Sequence, residues 1–141
     1  MTTLQLPGAP SLAYDANNQL CVDGVSVADL AREHGTPLFI YSKATMLRAL
    51  QAYQHGFAGR NALICFAMKA NSTLAVLQVF AQAGCGFDIV SGGELERALA
   101  AGADPARIIF SGVGKKRSEM RQALQAGIGC FNVESINELH V

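Results

Sequence analysis

Beyond Arg60 the chain repeats one pattern, an apolar run followed by an amphipathic stretch that closes on Ala-Gly. The apolar runs fall at 62–68, 86–91, 107–111 and 129–134, with helix-like stretches at 72–83, 93–101 and 118–126. Ala83-Gly84, Ala101-Gly102 and Ala126-Gly127 close those stretches, and glycine there supplies the left-handed residue that ends a helix. Leu95, Leu99 and the alanines around them form a face that can lie on a sheet. Ser118 is the expected cap of the third helix. A strand–helix period of about 22 residues predicts a parallel sheet with right-handed crossovers. A doubly wound sheet and a (β/α)8 barrel both begin this way. A complete barrel needs about 250 residues, so if the fold is a barrel, four runs are half of one.

The segment before Arg60 behaves differently. Leu12–Tyr14 and Leu20–Val22 flank Asp15-Ala16-Asn17-Asn18, an expected hairpin turn. Residues 26–34 read as a short helix, Gly35-Thr36-Pro37 breaks it, and 38–41 reads as a brief strand. Ser42 then caps a helix that runs to about His55. The hairpin has no sheet to join within this chain, which implies a partner element further along a longer protein.

Composition narrows the class. Half of the 141 residues are hydrophobic and eleven basic side chains balance eleven acidic ones, so the chain is too apolar for disorder and offers nothing to nucleic acid or an anionic membrane. No segment approaches the roughly 20 apolar residues of a membrane span. Residues 1–10 lack a basic start and a continuous apolar core, so no secretory signal is read there, and a soluble, cytoplasmic protein is expected. Cys21, Cys65, Cys85 and Cys130 show neither Cys-x-x-Cys pairing nor neighbouring histidines, which argues against a metal site or a disulfide framework. Cys65, Cys85 and Cys130 fall in or beside strands and are expected to pack in the core. His34, His55 and His140 each fall alone near a helix.

Strand alternation sorts the side chains. Leu63, Cys65, Ala67 and Lys69 share one face of the first run; Asp88, Ser111, Asn132 and Glu134 fall on the equivalent face of the next three. The opposite face holds bulky apolar groups, Ile64, Phe66, Met68, Phe87, Ile89, Ile108, Phe110, Phe131 and Val133, which belong under the helices. Active sites of parallel α/β proteins gather at the carboxyl ends of the strands, where the polar set converges. Lys69 ends a strand expected to be covered on both faces, and desolvation there would lower its pKa and leave an amine able to condense with a carbonyl. The same placement fits an ordinary lysine where a strand meets water. Ser91-Gly92-Gly93 and Ser111-Gly112-Val113-Gly114 are loops of a sort that accept phosphate, although neither matches a nucleotide fingerprint. Lys115-Lys116-Arg117 reads as a solvated helix start.

Phe66-Ala67-Met68-Lys69-Ala70-Asn71 resembles the cofactor-lysine motif of the fold-type III pyridoxal-phosphate decarboxylases. Gly86-Phe87-Asp88-Ile89-Val90-Ser91-Gly92-Gly93-Glu94-Leu95, Ile109-Phe110-Ser111-Gly112-Val113-Gly114-Lys115 and Gly129-Cys130-Phe131-Asn132-Val133-Glu134-Ser135 look like signatures of the diaminopimelate decarboxylase branch. Thr36-Pro37-Leu38-Phe39-Ile40-Tyr41 is similar to the segment that leads into that family's barrel. The resemblance implies an α/β fold: a partial (β/α)8 barrel of about four units in 43–141, preceded in 1–42 by a hairpin segment belonging to a β-domain that this chain lacks. It implies pyridoxal phosphate joined to Lys69, with Ala67 and Asp88 lining it, Asp88 pairing with the lysine, and Ser111, Asn132 and Glu134 nearby. The implied reaction turns meso-diaminopimelate into L-lysine and carbon dioxide in lysine biosynthesis, by an enzyme that is a homodimer at full length.

By the same resemblance the phosphate site, the partner of the pyridine nitrogen and the β-domain residues lie outside this chain. An amino-terminal portion without activity of its own is therefore expected. An ornithine- or arginine-type decarboxylase and a non-catalytic vitamin B6 carrier on the same barrel are the alternatives.

Overall fold

A computed structural model describes residues 12–140. Residues 1–10, read above as lacking a secretory signal, and Val141 lie outside that span. The chain forms two units that divide after Ala58.

In the first unit β1 (Leu12–Tyr14) and β2 (Leu20–Val22) pair antiparallel as the turn residues require. Asp15 Oδ1 accepts from the backbone N–H groups of Asn17 and Gln19, at 2.9 and 2.8 Å, and Asn18 takes a φ of 58°. Such a side chain imitates a backbone turn, and Asn tolerates the left-handed region. The expectation that this hairpin has no sheet to join is corrected. A third strand, β3 (Val25–Ser26), pairs with β2 across Asp23-Gly24, both at positive φ. Asp-Gly is a strong hairpin signal, and its flanking apolar runs are too short to stand out. Ser26 Oγ then caps α1 (Val27–His34) by accepting from the Asp29 N–H at 3.3 Å, and Gly35 ends it at φ 80°. The brief strand expected at 38–41 does not form: those residues pair with no strand, and Phe39 is 84% exposed. Ser42 Oγ caps α2 (Lys43–Gly56) from the Thr45 N–H at 2.9 Å.

In the second unit four strands alternate with helices: β4 (Cys65–Ala67), α3 (Leu74–Gln82), β5 (Gly86–Ile89), α4 (Gly92–Ala100), β6 (Ile108–Phe110), α5 (Arg117–Ala126), β7 (Cys130–Phe131) and α6 (Ile136–Leu139). All strand pairs are parallel, in the order β4-β5-β6-β7. That order decides between the two folds left open by the sequence. A doubly wound sheet reverses direction at a switch point, whereas right-handed crossovers that always advance one strand put every helix on the same face. This is barrel topology, with half of the eight strands.

Register explains the core. Phe66, Phe87 and Ile108 form one cross-strand row, and Ile89, Phe110 and Phe131 the next. Phe87, Ile89, Ile108 and Phe110 have no exposed surface, and neither do Leu77 of α3 and Leu95 of α4 that cover the sheet. Phe66 stacks on Phe80 with ring centroids 4.4 Å apart. Each fully buried side chain of this size contributes about 1.5–3 kcal/mol. Gly84, Gly102 and Gly127 end α3, α4 and α5 at φ of 71°, 84° and 76°, as the Ala-Gly pattern requires. Ser118 is not the cap of α5, however. The helix begins one residue earlier, and Glu119 Oε2 accepts from the Lys116 N–H at 3.0 Å. A carboxylate at the third helical position caps from within, so no serine is needed.

The opposite face carries the row Ala67, Asp88, Ile109 and Cys130. This corrects the core assignment of Cys130, which is exposed because four strands leave this face open. Cys85 is buried between sheet and helix, donates to the Ile64 carbonyl at 3.2 Å, and burial pushes its thiol up to about 11. A thiol held protonated is inert packing. His34 and His55 lie in the last turns of α1 and α2, and His140 follows α6.

Gly86, at the start of β5, is a close backbone approach within the sheet. A Cβ there would lie 2.7 Å from both the Arg107 carbonyl and Cys65 Sγ. Gly86→Ala is expected to lower stability by about 1–3 kcal/mol, the usual cost of overpacking. The urea midpoint should fall accordingly, and an unchanged midpoint would mean that the β5–β6 spacing is looser than described.

Candidate active site

β4 ends at Ala67, and the backbone then leaves the extended form for one 3-10 turn, Met68–Ala70. Met68 turns inward and is fully buried, while Lys69 is exposed. The expected loss of hydration at Lys69 is therefore corrected: strand alternation stops at Ala67, two residues before it, and the half-barrel leaves that mouth open. The expected pairing with Asp88 is also not made. Among the described residues Lys69 Nζ makes no hydrogen bond or ion pair.

Three other candidates do come together. Ser111 donates its hydroxyl to Asp88 Oδ1 at 2.5 Å, and Asn132 Nδ2 donates to Ser111 Oγ at 3.0 Å. These residues lie at the carboxyl ends of three successive strands, where the ladder continues through Ser111 N–H to Ile89 O and Asn132 N–H to Phe110 O, at 2.7 and 2.9 Å. Ala67 is the register neighbour of Asp88, so a small side chain separates this chain of bonds from the turn that carries Lys69. Glu134 is exposed and outside the cluster; its backbone N–H donates to Glu138 Oε2 at 2.7 Å.

The first glycine loop is already filled. Ser91 Oγ accepts from the Glu94 N–H at 3.2 Å, Glu94 Oε2 accepts from the Val90 N–H at 2.7 Å, and Glu119 Oε1 accepts from the Gly92 N–H at 2.9 Å. Carboxylates suit helix N-termini for the same reason phosphates do. The expectation that Ser91-Gly92-Gly93 accepts phosphate is corrected, because the chain supplies its own anions. Bonds from the Gly92 and Lys116 N–H groups hold the Glu119 carboxyl below its ordinary range. A group depressed on folding contributes stability that is complete above its unfolded pKa and fades as pH falls through the folded value. Glu119→Gln is thus expected to lower Tm at pH 7, with the gap to the unaltered chain closing below about pH 4. A gap that stays constant down to acid would contradict this clamp.

The larger surprise is Lys115, expected to be solvated. Its side chain has no exposed surface, and Nζ donates to Gly112 O, Asn132 O and Glu138 Oε1 at 2.6, 2.7 and 2.7 Å. It also sits over the Phe110 ring, 6.0 Å from the centroid. Residue type alone could not reveal this, but Ser135-x-x-Glu138 repeats Ser91-x-x-Glu94 one strand pair later. In both, the serine caps and the glutamate turns back toward the strand end, and the second glutamate brings a counter-charge to Lys115. That ammonium holds the Glu138 carboxyl below its usual range. Among the described residues no group of three or more His, Cys, Asp or Glu side chains is placed to hold a metal ion, and no helix is long and apolar enough to cross a membrane.

Residues 21–141 match the family described as pyridoxal-dependent decarboxylase, pyridoxal binding domain. The chain belongs to this family. It is 54% identical over 121 residues to the diaminopimelate decarboxylase of Pseudomonas aeruginosa, covering 86% of this chain and 29% of that protein. It is 54% identical over 126 residues to the one from Vibrio cholerae, covering 89% and 30%. Among solved structures, the diaminopimelate decarboxylase of M. jannaschii superposes with a TM-score of 0.89 at 32% identity, over 96% of this chain and 32% of that one. The Helicobacter pylori enzyme complexed with L-lysine gives 0.77 at 46% identity, over 80% and 29%. The chain thus spans under a third of the length of the relatives it matches.

The residues present fit one end of pyridoxal phosphate. An exposed amine with no hydrogen-bond partner among the described residues, in the turn that follows the register neighbour of the hydrogen-bonded Asp88 carboxylate, suits an aldehyde. The loop at the start of α4 does not suit the phosphate end, since Glu94 and Glu119 already take N–H groups there.

Proposed function

We propose that these residues form the lysine-bearing part of a decarboxylase that converts meso-diaminopimelate to L-lysine and carbon dioxide. The observation that carries the substrate is the 54% identity to two diaminopimelate decarboxylases, well above the 24% shared with a lysine/ornithine decarboxylase of Vibrio vulnificus. In this reading 43–141 is the first half of the cofactor barrel, and 1–42 is a lead-in segment that accompanies a β-domain. The working enzyme is a cytoplasmic homodimer.

Bound pyridoxal phosphate would supply the electron sink for the bond to a departing carboxylate. Lys69 holds the cofactor through its amine, which has no competing partner among the described residues. Asn132 orients Ser111, Ser111 donates to Asp88 Oδ1, and the carboxylate so fixed keeps Oδ2 available to accept from a cation at the same strand ends. Ala67 leaves room between them, and Glu134 is the outermost member of the set. Lys69 gains no reactivity from burial within these residues, so its activation depends on groups that approach the open face.

A chimera tests this reading: this chain replaces the segment it matches in the Pseudomonas aeruginosa relative. Such a protein is expected to release carbon dioxide from meso-diaminopimelate and to lose that activity in Lys69→Ala. Preference for L-ornithine or L-arginine would overturn the substrate, and activity surviving Lys69→Ala would overturn the role of the lysine. The 141 residues alone are expected to release none, because among the described residues they offer an amine and a carboxylate relay while the loop at the start of α4 is already occupied by Glu94 and Glu119.

A further inference from the structure

We propose that Lys115 is a positioning residue, whose ammonium ties the ends of β6 and β7 together so that Asn132 and Ser111 hold the Asp88 carboxylate on the open face beside Ala67. This rests on the reading of Asp88 as part of the cofactor site and adds to it a residue that touches neither cofactor nor substrate.

An ammonium has three N–H donors and no acceptor, and Lys115 meets three oxygens at 2.6–2.7 Å. Two of them are the carbonyls of Gly112 and Asn132, one adjacent to Ser111 in the chain and the other on the relay residue itself. Fixing both carbonyls to one nitrogen fixes the separation of the two strand ends. The Asn132–Ser111 bond of 3.0 Å spans that separation, and it orients the hydroxyl that Ser111 donates to Asp88 Oδ1 on β5 at 2.5 Å. The third oxygen, from Glu138, neutralises the charge in a place with no exposed surface on the lysine. Phe110, itself fully buried, closes the underside. A lysine with every donor engaged is also a poor competitor for an aldehyde, so Lys69 and Lys115 take opposite assignments near these strand ends. Lys69 is available, and Lys115 is consumed by the scaffold.

The position demands a point donor. Arginine keeps the charge but presents a planar fork, which cannot reach three oxygens gathered around one atom. Lys115→Arg is therefore expected to fail almost as Lys115→Met does, and Glu138→Gln, which leaves the two carbonyl bonds in place, is expected to retain most of the relay.

The test uses the 141-residue chain in two arms. In the first, the Asn132 side-chain amide is followed by NMR without cofactor. In Lys115→Met or Lys115→Arg its two protons should move to solvent-like shifts and exchange at least about tenfold faster, the equivalent of about 1.4 kcal/mol, while the Phe87 and Asp88 amides of β5 stay in place. In the second, pyridoxal phosphate is added, trapped with borohydride, and the yield on Lys69 is measured well below Tm. It should fall about tenfold in either variant, and adding Asn132→Ala to Lys115→Met should lower it little further. An unaltered Asn132 amide overturns the assignment, as does a lost relay with unaltered Lys69 trapping. A lower Tm with both readouts unchanged means a structural lysine only, and also overturns it. If the unaltered chain shows no label on Lys69, the cofactor reading fails and the NMR arm alone decides whether Lys115 sets the relay.

Discussion

Lys69→Ala is expected to abolish the visible absorbance that the chain retains after incubation with pyridoxal phosphate and dialysis, and to leave Tm unchanged. The two halves of that expectation have separate causes. Retention against dialysis needs a covalent bond; the Lys115 amine is engaged with three oxygens, whereas Lys69 Nζ has no hydrogen-bond partner among the described residues and lies in the turn after the strand that pairs with Asp88. Stability is unaffected because the side chain is exposed and touches nothing that an alanine would leave orphaned; surface substitutions of that kind stay within about 0.5 kcal/mol. Met68, one residue earlier, is the contrast. It is fully buried, so the turn itself is anchored independently of the amine. Full retention in Lys69→Ala would mean that another amine captures the aldehyde.

Phe110→Ala is expected to have the largest effect on folding, a loss of about 3–5 kcal/mol. The ring has no exposed surface, stacks on Phe131 with centroids 5.7 Å apart, and lies beneath the Lys115 ammonium. Removing it opens a cavity between β6 and its neighbours and takes away the floor beneath the shielded Lys115 ammonium. Domains are stable by about 5–15 kcal/mol in all, so much of the second unit's stability would go. In urea the midpoint should fall with an unchanged slope. A shift of less than about 1 kcal/mol would show that the four strands are not packed on this ring as described.

How much of this was readable beforehand follows from what each signal measures. The Ala-Gly endings and the two-residue alternation report local backbone and burial, and they place α3, α4 and α5, the parallel sheet, and the sorting of Phe87 and Phe110 from Asp88 and Ser111. Pattern could not choose between a barrel and a doubly wound sheet, because strand order is a long-range property; the unbroken order β4-β5-β6-β7 chooses. Lys69 differs from its expectation for a related reason: strand alternation does not continue past Ala67, where the backbone coils and the side chain swings to solvent. Lys115, Glu119 and Glu138 are invisible to pattern because a long charged side chain says nothing by itself about where its tip goes. The contacts that matter, Glu119 with the Gly92 N–H and Lys115 with the Asn132 carbonyl and Glu138, join positions far apart in the chain. Asp88, Ser111 and Asn132 were found because each is a polar residue on an otherwise apolar strand face, a discrepancy that composition along the strand exposes.

The most direct measurement is to load the chain with pyridoxal phosphate, reduce with borohydride, digest and map the modified peptide by mass. The label should lie on Lys69, in the segment Phe66-Ala67-Met68-Lys69-Ala70-Asn71, and be absent from Lys43 and Lys115. A label on Lys43 or Lys115 with Lys69 unmodified would contradict the assignment of the cofactor lysine.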